Sequence, residues 1–253
     1  MPSVKSAAFR GVLLFLAALL GVLLARLPLR WATPLLPASL HCEAPLGSLW
    51  DGHCGSLSVR GGAGTVLLLG EADWVLRPTA LFKARLGLDL RLRRGSSEAR
   101  GRLELGFGSL SVTGLEAQGP MNSQLLPGFP PTWTGQLQVV GGALRLEGGK
   151  LVGLAGTAVA QDLVAQSPQR LAYGSYQLRF LPAAGGELPV GEVNDQGGPL
   201  ELHARLLLKP SLQWSLEGQV SARPAADPAL AQLLQSLSPP DAKGLRPFSV
   251  GSL

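Results

Sequence analysis

The chain has 253 residues, of which 46% are hydrophobic and 15% are charged, so it has apolar material for one large β domain or two ordinary domains. The formal net charge of +5 is local: four of the 22 basic residues precede position 31, and the remaining 18 face 17 acidic residues. A nearly neutral body without a basic stripe argues against nucleic-acid binding, and the apolar content argues against disorder.

Residues 1–30 predict a cytoplasmic tip followed by a single transmembrane signal anchor. Lys5 and Arg10 precede an uninterrupted apolar run over residues 11–25, and Arg26 follows it. The run is short for a bilayer span, but apolar flanks extend it and the arginines can snorkel to the interfaces. A cleaved signal peptide is the alternative, although no clean small-residue cleavage site follows. The basic N-terminus predicts a bacterial inner-membrane protein with its bulk in the periplasm.

Residues 31–45 are predicted to be an extended connector, because three prolines disfavour a helix there. Residues 46–253 then predict one periplasmic antiparallel β domain. It opens with a strand, a tight turn and a second strand, in which Trp50 is the apolar anchor. Asp51 and Gly52 form a pair that favours a hairpin turn.

Cys42 and Cys54 are the only two cysteines, and they flank this opening hairpin. An isolated pair in an oxidising compartment favours a disulfide, and closing a loop of about a dozen residues is worth about 3 kcal/mol. Two free thiols are one alternative. A zinc site is another, since His41 and His53 each precede a cysteine. Adjacent residues on a strand point to opposite faces, however, which disfavours shared ligation.

Strict alternation of leucine with polar residues predicts a half-buried antiparallel strand over residues 85–93, and the alternation returns over residues 102–107. Six leucines are predicted to line one apolar face: Leu86, Leu88, Leu90, Leu92, Leu103 and Leu105. On the other face, we expect Arg91 and Arg93 to lie across from Glu104 and to form exposed ion pairs.

Further strands are predicted at residues 66–69, 74–76, 136–140, 143–147, 156–160, 174–180, 200–208 and 213–220. Glycine-rich turns separate them, including one at Gly141 and Gly142. The proline-rich stretch over residues 121–134 predicts a boundary between two sub-sheets. Near the C-terminus, Asp227 as N-cap and Pro228 predict a short amphipathic helix that packs on the domain.

The predicted fold class is therefore all-β: a curved antiparallel multi-strand sheet, as an open half-barrel or a sandwich-like arrangement. One N-terminal transmembrane helix and one short C-terminal helix complete it. The apolar face must be covered by curling, by a second sheet, or by a bound lipid or apolar peptide, and these alternatives stay open.

The chain carries no motif for a serine nucleophile, a phosphate-binding loop or a zinc protease. Its three histidines lie far apart, and His203 falls on the polar side of a strand. Asp162 and Asp195 lie beside turns or strand ends, where aspartate commonly satisfies backbone groups. We therefore expect no catalytic residues, no metal and no cofactor.

The order of several motifs resembles the type II secretion system protein N family of Gram-negative bacteria. The resemblance rests on a single N-terminal anchor of this type and on Gly47–Gly52, the strands between Gly135 and Asp162, Tyr173–Leu178, Gly197–Leu202, Trp214–Gly218 and a leucine-rich segment over residues 230–237. Its marker positions are Gly47, Leu49, Trp50, Gly52, Gly198, Pro199 and Trp214. The cysteine pair is not part of it.

This resemblance implies a non-enzymatic inner-membrane accessory subunit that supports export of folded proteins from the periplasm across the outer membrane. The implied partners are the inner-membrane assembly-platform subunits and the outer-membrane secretin of that system. The predicted sheet is also similar in style to AsmA-like envelope proteins, whose curved sheets carry lipid. A lipid-binding or lipid-transfer module that uses an apolar groove is therefore the alternative.

Overall fold

The computed structural model describes Phe15, Val22 and residues 27–32, 38–61, 66–82, 84–121, 132–167, 169–181, 189–209 and 213–251. The predicted transmembrane anchor lies almost entirely outside these residues. Within the described part of the chain, no helix is long and apolar enough to cross a membrane.

The described chain is almost entirely antiparallel β structure, which confirms the predicted all-β class. Its strands are β1 (Leu40–Gly47), β2 (Asp51–Arg60), β3 (Val66–Arg77), β4 (Leu86–Arg94), β5 (Ser97–Gly106), β6 (Ser109–Met121), β7 (Trp133–Glu147), β8 (Lys150–Ala165), β9 (Leu171–Phe180), β10 (Val190–Asp195), β11 (Leu200–Leu208), β12 (Trp214–Ala222) and β13 (Arg246–Gly251). The described helices are short: α1 (Leu29–Ala32), α2 (Pro78–Leu81) and α3 (Pro228–Leu234).

The chain divides into two compact units, an N-terminal unit of residues 1–77 and a C-terminal unit of residues 78–253. In the N-terminal unit, β2 pairs with β1 on one side and with β3 on the other. In the C-terminal unit, β4 to β13 form an antiparallel meander in which neighbours in sequence are neighbours in the sheet. The meander is open, because its last strand, β13, pairs with β12 and the order does not return to β4.

The predicted extended connector over residues 31–45 stays a prediction, since residues 33–37 lie outside the described part of the chain. Leu29–Ala32 form one helical turn, with the Trp31 N–H donating to the Pro28 carbonyl at 3.0 Å. The sheet itself begins at Leu40, so part of the predicted connector is strand β1. The predicted sub-sheet boundary at 121–134 stays a prediction, since most of it lies outside the described residues. On either side of it, Met121 and Gly135 pair.

A two-residue turn fixes the register between β4 and β5. Because Arg94 pairs with Ser97 across this turn, Arg93 lies opposite Glu98. The prediction that Arg91 and Arg93 lie across from Glu104 is therefore wrong. Arg91 instead bonds Glu98 at 2.7 Å, and Glu104 lies 3.6 Å from the Arg85 guanidinium.

The predicted turn at Gly141 and Gly142 is also wrong, because β7 runs through both glycines. The register with β8 shifts between Val140 and Ala143, so the pair forms a bulge inside a 15-residue strand. Gly141 takes a φ of 63°, which favours glycine. A bulge adds one residue to one strand and bends it, so these glycines bend the sheet instead of ending the strand.

On the neighbouring strand β8, Gly156 lies against this bulge. Its φ is 125°, and a Cβ there would lie 2.7 Å from the Gly142 Cα. On the other side of β7, a Cβ on Gly142 would lie 3.0 Å from the Leu115 Cβ of β6. Three adjacent strands thus approach closely along one line, where only glycine leaves room for the backbone or for leucine.

The buried core of the C-terminal unit lies where α3 packs on one end of the sheet. Leu230 of α3 is 2% exposed and contacts Leu171, Leu200 and Val220. The helix begins as predicted: the Asp227 carboxylate accepts the Ala229 N–H at 2.8 Å and Pro228 occupies the first turn. Elsewhere most apolar side chains of this sheet are only half-buried.

We expect Gly156→Ala to destabilise the protein by about 1–3 kcal/mol, because the new Cβ would overlap backbone and the φ is unfavourable for alanine. Gly153→Ala is the matched control on the same strand, since its Cβ would lie 3.6 Å from the Arg145 Cβ, an ordinary contact. Urea denaturation measures both. Equal unfolding free energies for the two variants would contradict this account.

Candidate functional site

The opening turn of the N-terminal unit is held by Ser48. Its hydroxyl oxygen accepts the N–H groups of Trp50 and Asp51 at 3.2 and 3.1 Å, and its own N–H donates to the Asp51 carbonyl at 2.9 Å. Asp51 and Gly52 therefore begin β2, with Gly47 opposite Gly52. The prediction that Asp51 and Gly52 are the turn itself is wrong, because the serine side chain closes the turn before them.

Gly52 is required by Trp74 of β3, which pairs with it and lies against it. A Cβ on Gly52 would collide with the Trp74 indole ring. The indole N–H also donates to the Leu49 carbonyl at 3.2 Å. The ring therefore covers the glycine and also supplies a hydrogen-bond partner for a carbonyl group of the turn. Tryptophan packing over a strand glycine is a structural role, and the motif Gly47–Gly52 shapes the hairpin.

Cys42 and Cys54 are joined by a disulfide between β1 and β2, with their Cα atoms 5.7 Å apart. The two histidines beside them do not converge. His53 bonds Asp73 at 2.7 Å, whereas His41 is exposed on β1 and lies 3.9 Å from Glu43. Within the described residues, no three His, Cys, Asp or Glu side chains are grouped so that they could hold a metal ion.

The C-terminal unit has an apolar face that crosses all ten of its strands. One transverse row takes one residue from each strand: Leu92, Ala99, Ala117, Val139, Ala158, Leu178, Val193, Ala204, Gly218 and Phe248. Of these ten residues only Ala204 is buried, and the others are half-buried. A face covered by a second layer would be buried throughout, so this face is open.

Two more rows extend this apolar face across β4 to β8. One is Leu88, Leu103, Val112, Leu144 and Leu154, and the other is Leu86, Leu105, Leu110, Leu146 and Leu151. Five of the six predicted face leucines therefore stand in rows of directly opposed apolar residues. Leu90, the sixth, lies opposite Gly101. The apolar face of the C-terminal unit consists of these three rows.

The opposite face of the same sheet is polar. Its central row includes Gln118, Gln138, Gln177, Asn194, His203 and Gln219. Beside it, charges alternate in a row of directly opposed residues: Arg179, Glu192, Arg205 and Glu217. The His203 Nδ1 lies 2.9 Å from the Asn194 Oδ1, on the polar side that the alternation predicts. The period of two thus separates the two faces along these rows, apart from Val159, which pairs with Gln138 and Gln177 in the central polar row.

The polar face offers no arrangement suited to bond chemistry among the residues that the structure describes. A depression on this face contains two ion pairs, Arg91 with Glu98 at 2.7 Å and Arg100 with Glu116 at 2.9 Å. The four charges satisfy one another across neighbouring strands, and the other residues that line the depression are alanine, valine and glutamine. This arrangement stabilises an exposed sheet surface modestly.

The side chain of Asp195 is only 5% exposed, although the residue as a whole is half-buried. Its Oδ1 accepts the Leu202 N–H at 3.0 Å, and its Oδ2 accepts the Gly197 N–H at 3.0 Å and an Arg223 N–H at 2.7 Å. The same guanidinium donates to the Gly198 carbonyl at 2.6 Å. The marker position Gly198 is thus held in an ion-paired corner between β10, β11 and the end of β12.

Pro199 and Gly174 close this corner from the β9 side. A Cβ on Gly174, whose φ is 93°, would lie 2.9 Å from the Pro199 Cδ and 3.0 Å from the Gly198 Cα. The Pro199 carbonyl accepts the Arg223 N–H at 2.9 Å. Trp214, the last marker position, begins β12 opposite Leu208 and lies apart from this corner.

Two pKa values shift at this corner. Burial alone would raise the pKa of Asp195, but the Leu202 N–H, the Arg223 guanidinium and the Gly197 N–H together lower it below its ordinary value of 3.8. Burial, with the Asp195 charge adding to it, raises the pKa of Tyr176 to about 12. The Tyr176 hydroxyl donates to the Tyr173 carbonyl at 2.6 Å. Both groups are engaged in holding the fold.

Sequence patterns indicated Asp195 as a residue that satisfies backbone groups but did not identify its partner. Arg223 lies 28 positions away and follows the end of β12, where no periodicity marks it. Trp74 was predicted only as a strand residue, and its packing over Gly52 had no signal in the sequence. The two marker motifs around Gly52 and Gly198 are therefore structural corners in separate units.

Comparison with known proteins gives a match to a family. Residues 38–249 match the family model for type II secretion system (T2SS), protein N. This range begins just before β1 and reaches into β13, and it contains every motif on which the resemblance rests except the predicted N-terminal anchor, which precedes it. It confirms that resemblance. No curated protein matches the chain, and no solved structure matches it.

We expect the Asp195 corner to make stability depend on pH. Because the pKa in the folded protein lies below 3.8, the carboxylate stabilises the fold fully above that value and loses this contribution as the pH falls through its lower folded pKa. Chemical denaturation at several acidic pH values should show the free energy of unfolding falling with pH. Asp195→Asn should make this pH dependence weaker. Glu217→Gln, which removes an exposed carboxyl, is the control. An unchanged acid slope in Asp195→Asn would contradict the assignment.

Proposed function

The chain belongs to the type II secretion system protein N family, and on this premise we propose that it is a non-enzymatic scaffolding subunit anchored in the inner membrane. Family membership gives it an accessory role in type II secretion and contacts with other components of that system. The anchored location, the scaffolding mode and the specific partners are the proposed part.

The open, two-faced sheet carries this proposal. Its apolar face is half-buried, and its polar face carries amide side chains and ion pairs such as Arg91 with Glu98. Both faces therefore offer large surfaces on which another molecule could bind. The buried carboxylate Asp195 has its oxygens occupied by Leu202, Gly197 and Arg223, which leaves it no role in proton transfer. These features favour binding over catalysis.

The disulfide of the N-terminal unit supports a location on the periplasmic side of the inner membrane. A disulfide between Cys42 and Cys54 persists in an oxidising compartment. The basic residues Lys5 and Arg10 before an apolar run favour the same orientation, with the N-terminus in the cytoplasm. From there, the folded part would contact assembly-platform subunits of the inner membrane and the secretin of the outer membrane.

A strand edge supplies one concrete mode of contact. Within the described sheet, β13 is the last strand of the meander and bonds β12 on one side only, and its Val250 is 54% exposed. An extended segment of a partner could add to this edge through main-chain hydrogen bonds. The match to the family model extends into β13, so this edge belongs to the shared part of the chain.

The alternative function, an AsmA-like lipid-binding or lipid-transfer module, is favoured by one observation. The open apolar face is made of aliphatic side chains, and a hydrocarbon chain could lie on it without leaving polar groups unpaired. This use would affect the lipids of the envelope, whereas a scaffold would affect only secretion. The two functions therefore separate in one strain.

Deletion of the gene should strand secreted proteins in the periplasm, because an accessory subunit of the export machinery is missing. Fractionation followed by immunoblotting of an exported protein measures this. Lipid composition and outer-membrane permeability should stay at wild-type values. Normal secretion would contradict the scaffold, and altered lipid composition with normal secretion would favour the lipid module.

The β13 edge is tested by complementing that strain with Ser249→Pro and Val250→Pro. Adjacent N–H groups on a strand point to opposite sides, so one of these prolines removes a bond to β12 and the other removes an outward-facing donor. We expect the variant that keeps wild-type thermal stability to lose co-purification with secretion components and to fail in secretion. Full secretion by that stable variant would rule out the edge as the contact.

A further inference from the structure

Two phenylalanines of the C-terminal unit project into solvent at the same end of its sheet. Phe107 occupies the turn between β5 and β6 and is 96% exposed, and Phe82 follows α2 and is 92% exposed. The turn does not need an aromatic residue, because Gly108, with a φ of 68°, supplies its conformation. Packing within the described part of the unit therefore does not account for either ring.

We name the exposed apolar residues at this end of the sheet the phenylalanine tip: Leu81, Phe82, Leu86, Leu105 and Phe107. Leu86 pairs with Leu105, and each is 39% exposed, so the first residue of β4 and the end of β5 lie side by side. The backbone of α2 joins the same end, since the Arg85 N–H donates to the Ala80 carbonyl at 3.1 Å.

The phenylalanine tip continues directly into the apolar face. Leu86 and Leu105 begin the row that runs through Leu110 and Leu146 to Leu151. At the opposite end of the sheet, and on β9, β11 and β12 instead of the strands of the tip, α3 packs over the buried core through Leu230. The sheet is thus capped by α3 at one end of these three strands, whereas the end of β4 and β5 that carries the tip has exposed phenylalanine and leucine side chains.

The chemistry of the tip favours a bilayer over a protein strand as its occupant. β5 bonds β4 on one side and β6 on the other, so it has no free main-chain edge there to receive a strand. Projecting rings on turns offer no groove for a helix, but a hydrocarbon layer accepts apolar side chains of any shape and needs no hydrogen bonds.

Two basic residues, Arg85 and Lys150, lie at the same end of the sheet as the tip. Arg85 extends beside Gly106, with its guanidinium 3.6 Å from the Glu104 carboxylate. Lys150 begins β8, directly after the turn that the Gly148 N–H joins to the Gly108 carbonyl at 2.7 Å. Long basic side chains reach toward phosphates while their stems cover apolar surface. Apolar rings flanked by such cations are typical of a membrane interface.

We propose that the phenylalanine tip is a contact site for the surface of a phospholipid bilayer, into which Phe82 and Phe107 insert. The contact goes beyond the proposed scaffolding function. It would fix the C-terminal unit against a membrane and open the apolar face toward the hydrocarbon layer.

The test uses the full chain reconstituted in vesicles of phosphatidylethanolamine and phosphatidylglycerol. A single new thiol, Phe107→Cys, is labelled with an environment-sensitive fluorophore, since Cys42 and Cys54 are held in their disulfide. We expect emission to shift to shorter wavelength and spin-labelled lipid to quench it. The same label on Gln232→Cys of α3, at the capped end, should show neither effect.

A second set of variants keeps the reporter and changes the tip. The fluorophore is now attached at Lys150→Cys. The double substitution Phe82→Ser and Phe107→Ser should abolish quenching by spin-labelled lipid. Leu233→Ser, at an exposed position of α3, should leave the quenching unchanged. Both substituted rings are more than nine-tenths exposed, so thermal melting should remain unchanged. Water-like emission at position 107 equal to that at position 232 would overturn the proposal. Shielding that appears only when other secretion components are added would overturn it as well. Either result is independent of the secretion phenotype of the deletion strain.

Discussion

The structure depends on the register between neighbouring strands. Side chains alternate along a strand with a period of two, so a slip of one residue would exchange the apolar and polar faces of the whole meander. Short turns prevent such a slip. The turn between Arg94 and Ser97 sets the pairing of β4 with β5, and that pairing brings Leu88 opposite Leu103. Each following strand inherits its orientation from the one before it.

Bulges and glycines adjust this register where the sheet bends. Gly142 and Gly156 lie on one transverse line with Leu115, and the pairings shift on both sides of that line. The apolar row keeps its side across these shifts, because each extra residue is absorbed in the bulge. The same strategy appears at Asp162, which has a φ of 50° beside a shift between β8 and β9. Curvature is thus obtained without loss of the two-faced pattern.

The sequence predicts the parts of this fold that depend on local periodicity. Strict alternation over residues 85–93, and again over residues 102–107, identifies β4 and β5 and their leucine face, and Asp227 with Pro228 identifies α3. Prediction fails where a local signal has two meanings. Two glycines in succession serve a turn or a bulge, and the choice at Gly141 depends on what the neighbouring strands place beside it. The same ambiguity applies to Asp51 and Gly52, where the Ser48 hydroxyl decides. Distant partners such as Arg223 leave no periodic trace at all.

A meander in which every strand bonds only its sequence neighbours has a mechanical consequence. Its stability is approximately a sum of contributions from pairs of neighbouring strands, as in repeat proteins. Local unfolding can therefore begin at an edge strand and advance one strand at a time. β13, secured by a single ladder, is the natural place for such fraying. The Asp195–Arg223 ion pair ties the end of β12 back to β10 and would stop the opening there. Strand β13 would then separate from β12 while the strands from β10 to β12 stay paired.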